Sequence, residues 1–279
     1  MSRRILSPQQ FVGRAGLYLL LFGFAAVTIF PFLWTGYVSL LKDPTAIEEF
    51  PRALSAYGLD NFVYLFDQAL VGAWYFNSTV VTVSIVVANL LLNTMAGYAL
   101  ARLRFPGKQA IFLVVVGVML IPIQVTMVPV YILLARVGLI NTHLGLIVPF
   151  MVNSFGIFLM RQFFVTVPQA LEDAGIMDGL THYGVFARIM FPLSQSSLLT
   201  QFIIIFMWNW NNFLFPSIIV NQERMFTLPI GINTIKSQFF SIPTRVMAGV
   251  MVLTIPVVIL YLIFQRWVIK GVAQTGIKA

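Results

Sequence analysis

The chain has 279 residues, of which 59% are hydrophobic and only 9% charged, against about 25% charged in an ordinary soluble domain. Its 17 Lys and Arg and 9 Asp and Glu cover too little surface for a water-exposed globule, which argues against a soluble enzyme. The absence of cysteine excludes disulfides and thiolate metal sites, and two well-separated histidines, His143 and His182, argue against an imidazole-rich metal centre.

Six stretches are long and apolar enough to cross a bilayer: Ala15–Leu41, Asn77–Ala101, Ala110–Val130, Asn141–Met160, Gln195–Ile218 and Val246–Gln265. None contains Asp, Glu, Lys or Arg, so the expected fold is an all-α polytopic membrane protein with six helices. The first stretch is too long for a signal-peptide core and is kept as a span. Prolines such as Pro31, Pro122 and Pro256 fall within the stretches, and membrane helices accept them when neighbours satisfy the freed carbonyls. The expected layout is a segment 1–14, a six-helix domain 15–265 and a tail 266–279.

Lysine and arginine set the orientation. Eleven of them fall in the N-terminal segment, the 102–109 loop, the 161–194 segment and the tail, and six fall in the other loops. Both termini are therefore expected in the cytoplasm. Five acids, from Asp43 to Asp67, add to the asymmetry in the first outer loop. The +8 net charge thus reports topology and not nucleic-acid binding. Within that loop, Tyr57–Tyr75 reads either as an interfacial helix or as an aromatic belt leading into the second span. Asn77-Ser78-Thr79 fits a glycosylation acceptor but sits at the mouth of a span and is given no weight.

No stretch carries a carboxylate that could couple transport to protons. A phosphate-binding loop is absent too, because Gly107-Lys108 is followed by Gln109. Energy must come from a partner. In the fifth stretch Gln201, Trp208 and Asn212 share a helical face, with Asn209 and Asn211 beside it. In the second, Thr82, Asn89 and Asn93 share another, and Gln124 and Asn153 add amides elsewhere. Two readings stay open. The amides bond helices together, or they line a path for a hydroxyl-rich solute, which amides and an indole face suit without charge.

The 161–194 segment is long for a helix connection. Pro168 can start a helix, Leu171, Ala174 and Gly175 give it one small-residue face, and Gly179 breaks it. Thr181 can cap a second helix with Tyr183, Phe186, Ile189 and Met190 as its apolar stripe, ended by Phe191-Pro192.

The run Leu171–Gly179 with Ile189-Met190-Phe191-Pro192 resembles the EAA signature of ABC-importer permeases. Asp173-Ala174-Gly175 stands for the triplet, and Gly179, Ile189 and Pro192 match in spacing. Gly97–Arg102, Leu159–Phe164, Thr227-Leu228-Pro229 and Phe264–Trp267 are also similar to the carbohydrate class, so that the chain resembles the six-helix permease subunit of maltose-type importers. This resemblance implies a type I importer fold in a bacterial plasma membrane, with no catalysis and no cofactor on this chain. It implies a second permease subunit, an ATPase dimer holding ATP and magnesium, and an extracytoplasmic binding protein that delivers a sugar. It assigns ATPase docking to Glu172, Asp173, Ala174, Gly175, Asp178 and Gly179. The tail Val272–Ala279 would enter the ATPase dimer interface, and the outer loop around 221–241 would meet the binding protein. The rival reading is a secondary transporter of a small polar solute, but that class calls for internal repeats or coupling-ion ligands, and neither is visible.

Overall fold

The computed structural model describes residues 8–43, 53–68, 70–238 and 242–275, and all regular structure among them is helical. In chain order the helices are α1 (Pro8–Ser39), α2 (Asp60–Gln68), α3 (Val71–Arg102), α4 (Lys108–Met119), α5 (Ile123–Arg136), α6 (His143–Ile147), α7 (Ser154–Thr166), α8 (Ala170–Met177), α9 (His182–Val185), α10 (Phe191–Leu193), α11 (Gln195–Trp210), α12 (Leu214–Ile219), α13 (Leu228–Gln238) and α14 (Pro243–Thr275). Four of the described segments are long and apolar enough to cross a membrane: Gly16–Ser39, Val71–Arg102, His143–Thr166 and Pro243–Gln265. Two bent pairs raise the number to six if each pair is one span.

Those bent pairs show where two of the six expected spans break. The third stretch divides into α4 and α5, which meet at 102°. Pro122 is the cause: it lacks the N–H that would bond back to Val118, and it sits extended at φ −59°, ψ 131° as the residue before α5. The fifth stretch stops at Trp210 and resumes only at Leu214, where Pro216 again removes a donor. At its other end α11 meets the α9–α10 run at 73°.

By contact the chain divides into two units, Met1–Ala69 with Ile235–Thr254, and Leu70–Thr234 with Ile255–Ala279. In the first unit Asn61 organises the packing. Its Nδ2 donates to the carbonyls of Ser39 at 3.0 Å and Leu41 at 2.7 Å, and its Oδ1 accepts from Thr244 at 3.3 Å. Arg245 stacks 3.6 Å from the centre of the Tyr64 ring, so α2 is fastened to the end of α1 and the start of α14. The 57–75 stretch therefore does hold a helix, with Val63 and Phe66 exposed and Leu65 buried.

In the second unit α3 is the central element, packed against α7 and α11. The α3–α7 approach depends on glycine. A Cβ at Gly97 would stand 2.6 Å from the Met160 Cβ and 2.8 Å from the Arg161 backbone nitrogen, contacts that no side-chain movement relieves. Small residues permit such approach between membrane helices, where dispersion and hydrogen bonds replace the hydrophobic effect as the driving force. One apolar cluster, with Val81, Ile85, Leu146, Ile205, Phe215 and Ile219, fills the Asn77 end of α3. A second, with Tyr98, Met160, Phe164, Val185 and Met190, fills the Arg102 end.

Candidate functional site

The segment 168–193 forms the tip at the Arg102 end, and one ion pair ties it down. Glu172 of α8 is 5% exposed, and its Oε1 lies 3.3 Å from Arg102 Nε. The same guanidinium donates to Gln169 Oε1 at 2.8 Å, to the Phe164 carbonyl at 2.6 Å and to the Val167 carbonyl. Arg102 thus closes the ends of α3 and α7 onto α8. Burial raises the Glu172 carboxyl above its ordinary value, and Arg102 and His182 oppose the shift.

The end of α8 follows from Gly179. Its φ of +82° lets the Leu180 N–H reach the Gly175 carbonyl and the Gly179 N–H reach the Ile176 carbonyl, both at 2.9 Å, which is the Schellman arrangement. Gly179→Ala should cost about 1 kcal/mol because a Cβ strains the left-handed region, and Gly179→Asn should cost less. Thermal unfolding of the purified chain measures both, and an alanine variant as stable as the parent would remove the requirement. Thr181 then caps α9 by accepting from the Gly184 N–H at 3.3 Å.

The second helix ends at Leu193, one residue past Phe191-Pro192, and the chain bends by 73° before α11. A π-turn over Phe186–Met190 precedes Phe191-Pro192, with the Phe191 N–H bonded to the Phe186 carbonyl, and the chain stays helical to Leu193. The wider turn absorbs the proline, whose ring would otherwise press on the carbonyl four residues back.

Of the six residues assigned to docking, Asp173, Ala174, Asp178 and Gly179 are exposed. Glu172 and Gly175 face inward. Glu172 is committed to Arg102, and Gly175 packs so closely on α9 and the π-turn that a Cβ would meet Ile189 Cδ1 at 2.7 Å. Met177 at 87% and Tyr183 at 80% are the most exposed apolar side chains of the tip, a feature that the acidic triplet did not announce.

The seven residues assigned to a polar path separate into two groups. Asn89, Asn93 and Gln201 are 0% exposed and bonded among themselves and to Asn153. Asn89 Nδ2 donates to the Phe150 carbonyl at 2.6 Å. Its Oδ1 accepts from Asn93 at 2.8 Å and from Asn153 at 2.6 Å, and its carbonyl accepts from Gln201 Nε2 at 2.9 Å. This network joins α3, α7 and α11 and is closed to any solute in this structure. By contrast, Trp208, Asn209, Asn212 and Asn153 line one cavity of about 640 Å³, together with Gln124 and Asn211. No charged side chain lines it, and Trp208 is 76% exposed.

Sequence reasoning missed a clasp at the other end of α3. Asn77 Nδ2 donates to the carbonyls of Arg224 and Phe226 at 2.8 and 3.0 Å, and its Oδ1 lies 2.9 Å from His143 Nε2. Trp74 Nε1 donates to the Glu223 carbonyl at 2.8 Å, Ser78 Oγ accepts from the Leu228 N–H at 2.7 Å, and Asn141, at φ +58°, accepts from the Asn221 N–H at 2.8 Å. The asparagine discounted as a glycosylation acceptor anchors the 221–228 loop. Of the C-terminal tail and the 221–241 loop, residues 276–279 and 239–241 lie outside the described residues.

Residues 93–274 match the family of the binding-protein-dependent transport system inner membrane component. The chain is 35% identical to the arabinooligosaccharides transport system permease protein AraQ of Halalkalibacterium halodurans, across 86% of this chain and 83% of that one. It is 32% identical to the inner membrane ABC transporter permease protein YcjP of Escherichia coli, across 96% and 97%. Its fold is similar, at TM-score 0.82 and 21% identity, to a chain in the crystal structure of a bacterial ABC transporter involved in the import of the acidic polysaccharide alginate, covering 95% of this chain and 99% of that one. The chain belongs to the binding-protein-dependent inner-membrane permeases. It is a multi-pass permease component of an ABC importer, and the ATPase is a separate chain.

Proposed function

We propose that this permease moves a sugar, a di- or oligosaccharide, into the cytoplasm. The carrying observation is the uncharged cavity of about 640 Å³ that sets amides and the exposed Trp208 face around one space. Its volume lies in the range of about 300–1,000 Å³ usual for small-ligand sites, and its chemistry suits hydroxyls that need both donors and acceptors. The similarity to a permease of arabinooligosaccharides supports the same class. In this reading each bent pair is one span, so that six spans put both termini in the cytoplasm. The tip at 168–193 then faces an ATPase dimer that holds ATP and magnesium, a second permease covers the open side of the cavity, and a binding protein delivers substrate to the 221–241 side. Docking falls to Asp173, Ala174, Asp178 and Gly179 with Met177 and Tyr183, while Glu172 and Gly175 hold the tip in shape. Closure of the ATPase would swing the tip and rock the helices between two accesses.

Trp208→Ala and Asn212→Ala should each lower uptake of labelled oligosaccharide by about tenfold, as expected for loss of roughly 1.4 kcal/mol of contact, with unchanged recovery of the assembled complex. Wild-type uptake in both variants would move the sugar off this cavity.

A further inference from the structure

Lys108 opens α4 and Phe112 follows four residues later, which puts both side chains on one face of that helix. Arg161 of α7 lays its guanidinium 3.7 Å from the centre of the Phe112 ring, and Phe112 stacks on Phe158 of α7 at 6.3 Å. Arg161 therefore covers a ring that lies one helical turn along α4 from Lys108.

Neither cation is balanced. Lys108 Nζ donates to the carbonyls of Ala101 and Leu103, both at 2.9 Å, which leaves its third N–H uncommitted. Among the described residues Arg161 Nε has no hydrogen-bond partner, and no acid is paired with either side chain. Glu172, the buried acid at this end of the unit, is held by Arg102. Basic side chains grouped between membrane helices without a paired acid favour an anionic headgroup beside them. A bias of cations to one side of a membrane accounts for their number, but not for an arginine laid on a ring one helical turn from a lysine with no acid paired to either among the described residues.

The chain is an inner-membrane component, and these residues stand where α3 gives way to α4. The flank of α4 is apolar and open, with Ile111 and Leu113 exposed. An anion that meets both the charge and that flank has a phosphate at one end and acyl chains at the other. We propose that Arg161 and Lys108 bind the headgroup phosphate of an anionic phospholipid, whose chains lie along α4.

Native mass spectrometry of the full chain in mild detergent, titrated with phosphatidylglycerol or phosphatidylcholine, tests the site. The expected result is one phosphatidylglycerol retained in preference to phosphatidylcholine, with about tenfold weaker retention in both Arg161→Gln and Lys108→Gln, the equivalent of one charge-assisted hydrogen bond. Arg161→Lys keeps the charge and should retain the lipid, and unchanged helix content by circular dichroism separates lost binding from lost fold. Equal retention of the two lipids, or full retention in both glutamine variants, would overturn the proposal. Two further outcomes would also overturn it. Displacement of the lipid by millimolar inorganic phosphate would mark a site for free anions, and absence of the lipid from the assembled transporter would mark a site closed by a partner's acid.

Discussion

Arg102→Ala should destabilise the chain by roughly 3–5 kcal/mol, the usual consequence of stranding one member of a buried ion pair. The carboxylate of Glu172 would stay in its site at 5% exposure without its cation, and the carbonyls of Phe164 and Val167 would lose their donor. Burial already raises the Glu172 carboxyl, and removal of Arg102 lets it rise further. A carboxyl with a raised folded-state value binds more protons folded than unfolded, so its native state is favoured in acid and loses stability as pH climbs through that value. The defect should therefore be smallest at low pH and grow toward neutrality. Glu172→Gln on the Arg102→Ala background should recover part of the loss and flatten the pH dependence. Thermal unfolding across pH, with protease cleavage within 168–180 as a local readout, measures both, and a pH-independent defect that the second substitution does not relieve would show that the ion pair is not what holds the tip.

Asn89→Leu should cost about 2 kcal/mol. Interhelical hydrogen bonds in membranes are worth about 0.6 kcal/mol each. Asn89 makes two of these with its side chain, to Phe150 and Asn153, and also accepts from Asn93 within α3; leucine leaves the amides of Asn93 and Asn153 without their acceptor, which adds to the loss. Recovery of folded chain from membranes and its melting temperature should both fall. Asn212→Ala, at the cavity, should leave both measures at the parental value. A stable Asn89→Leu chain with defective uptake would instead return Asn89 to the substrate path.

These two substitutions sit on the line between what sequence reveals and what it conceals. The tip was readable because its signals are local: Gly179 supplies the positive φ for its own turn, and Thr181 caps the helix beginning at the next residue. The fate of Glu172 was not, because its partner is Arg102, remote in sequence and at the end of another helix. Helical spacing put Gln201 and Trp208 on one face, yet Gln201 is sealed against α3 while Trp208 is 76% exposed. Periodicity says which residues share a face, and only packing says what the face meets. The apolar stretches were plain from composition. The 102° turn between α4 and α5 was less so, since Pro129 and Pro256 lie inside helices that continue past them while Pro122 lies at a break.

That turn has a bearing on backbone groups that a helix would have paired. Between Met119 and Ile123 the helical ladder lapses into short bonds, from Leu120 to Gly117, from Ile121 to Val118 and from Val125 to the Pro122 carbonyl. Hydrocarbon offers such groups nothing, so an irregular stretch at membrane depth persists only where protein or water serves it. Ile123 and Gln124, just past the break, line the same cavity as Trp208 and Asn212. The break therefore opens beside amides, Gln124, Asn153 and Asn212 among them, that can take the bonds the lapsed ladder leaves over.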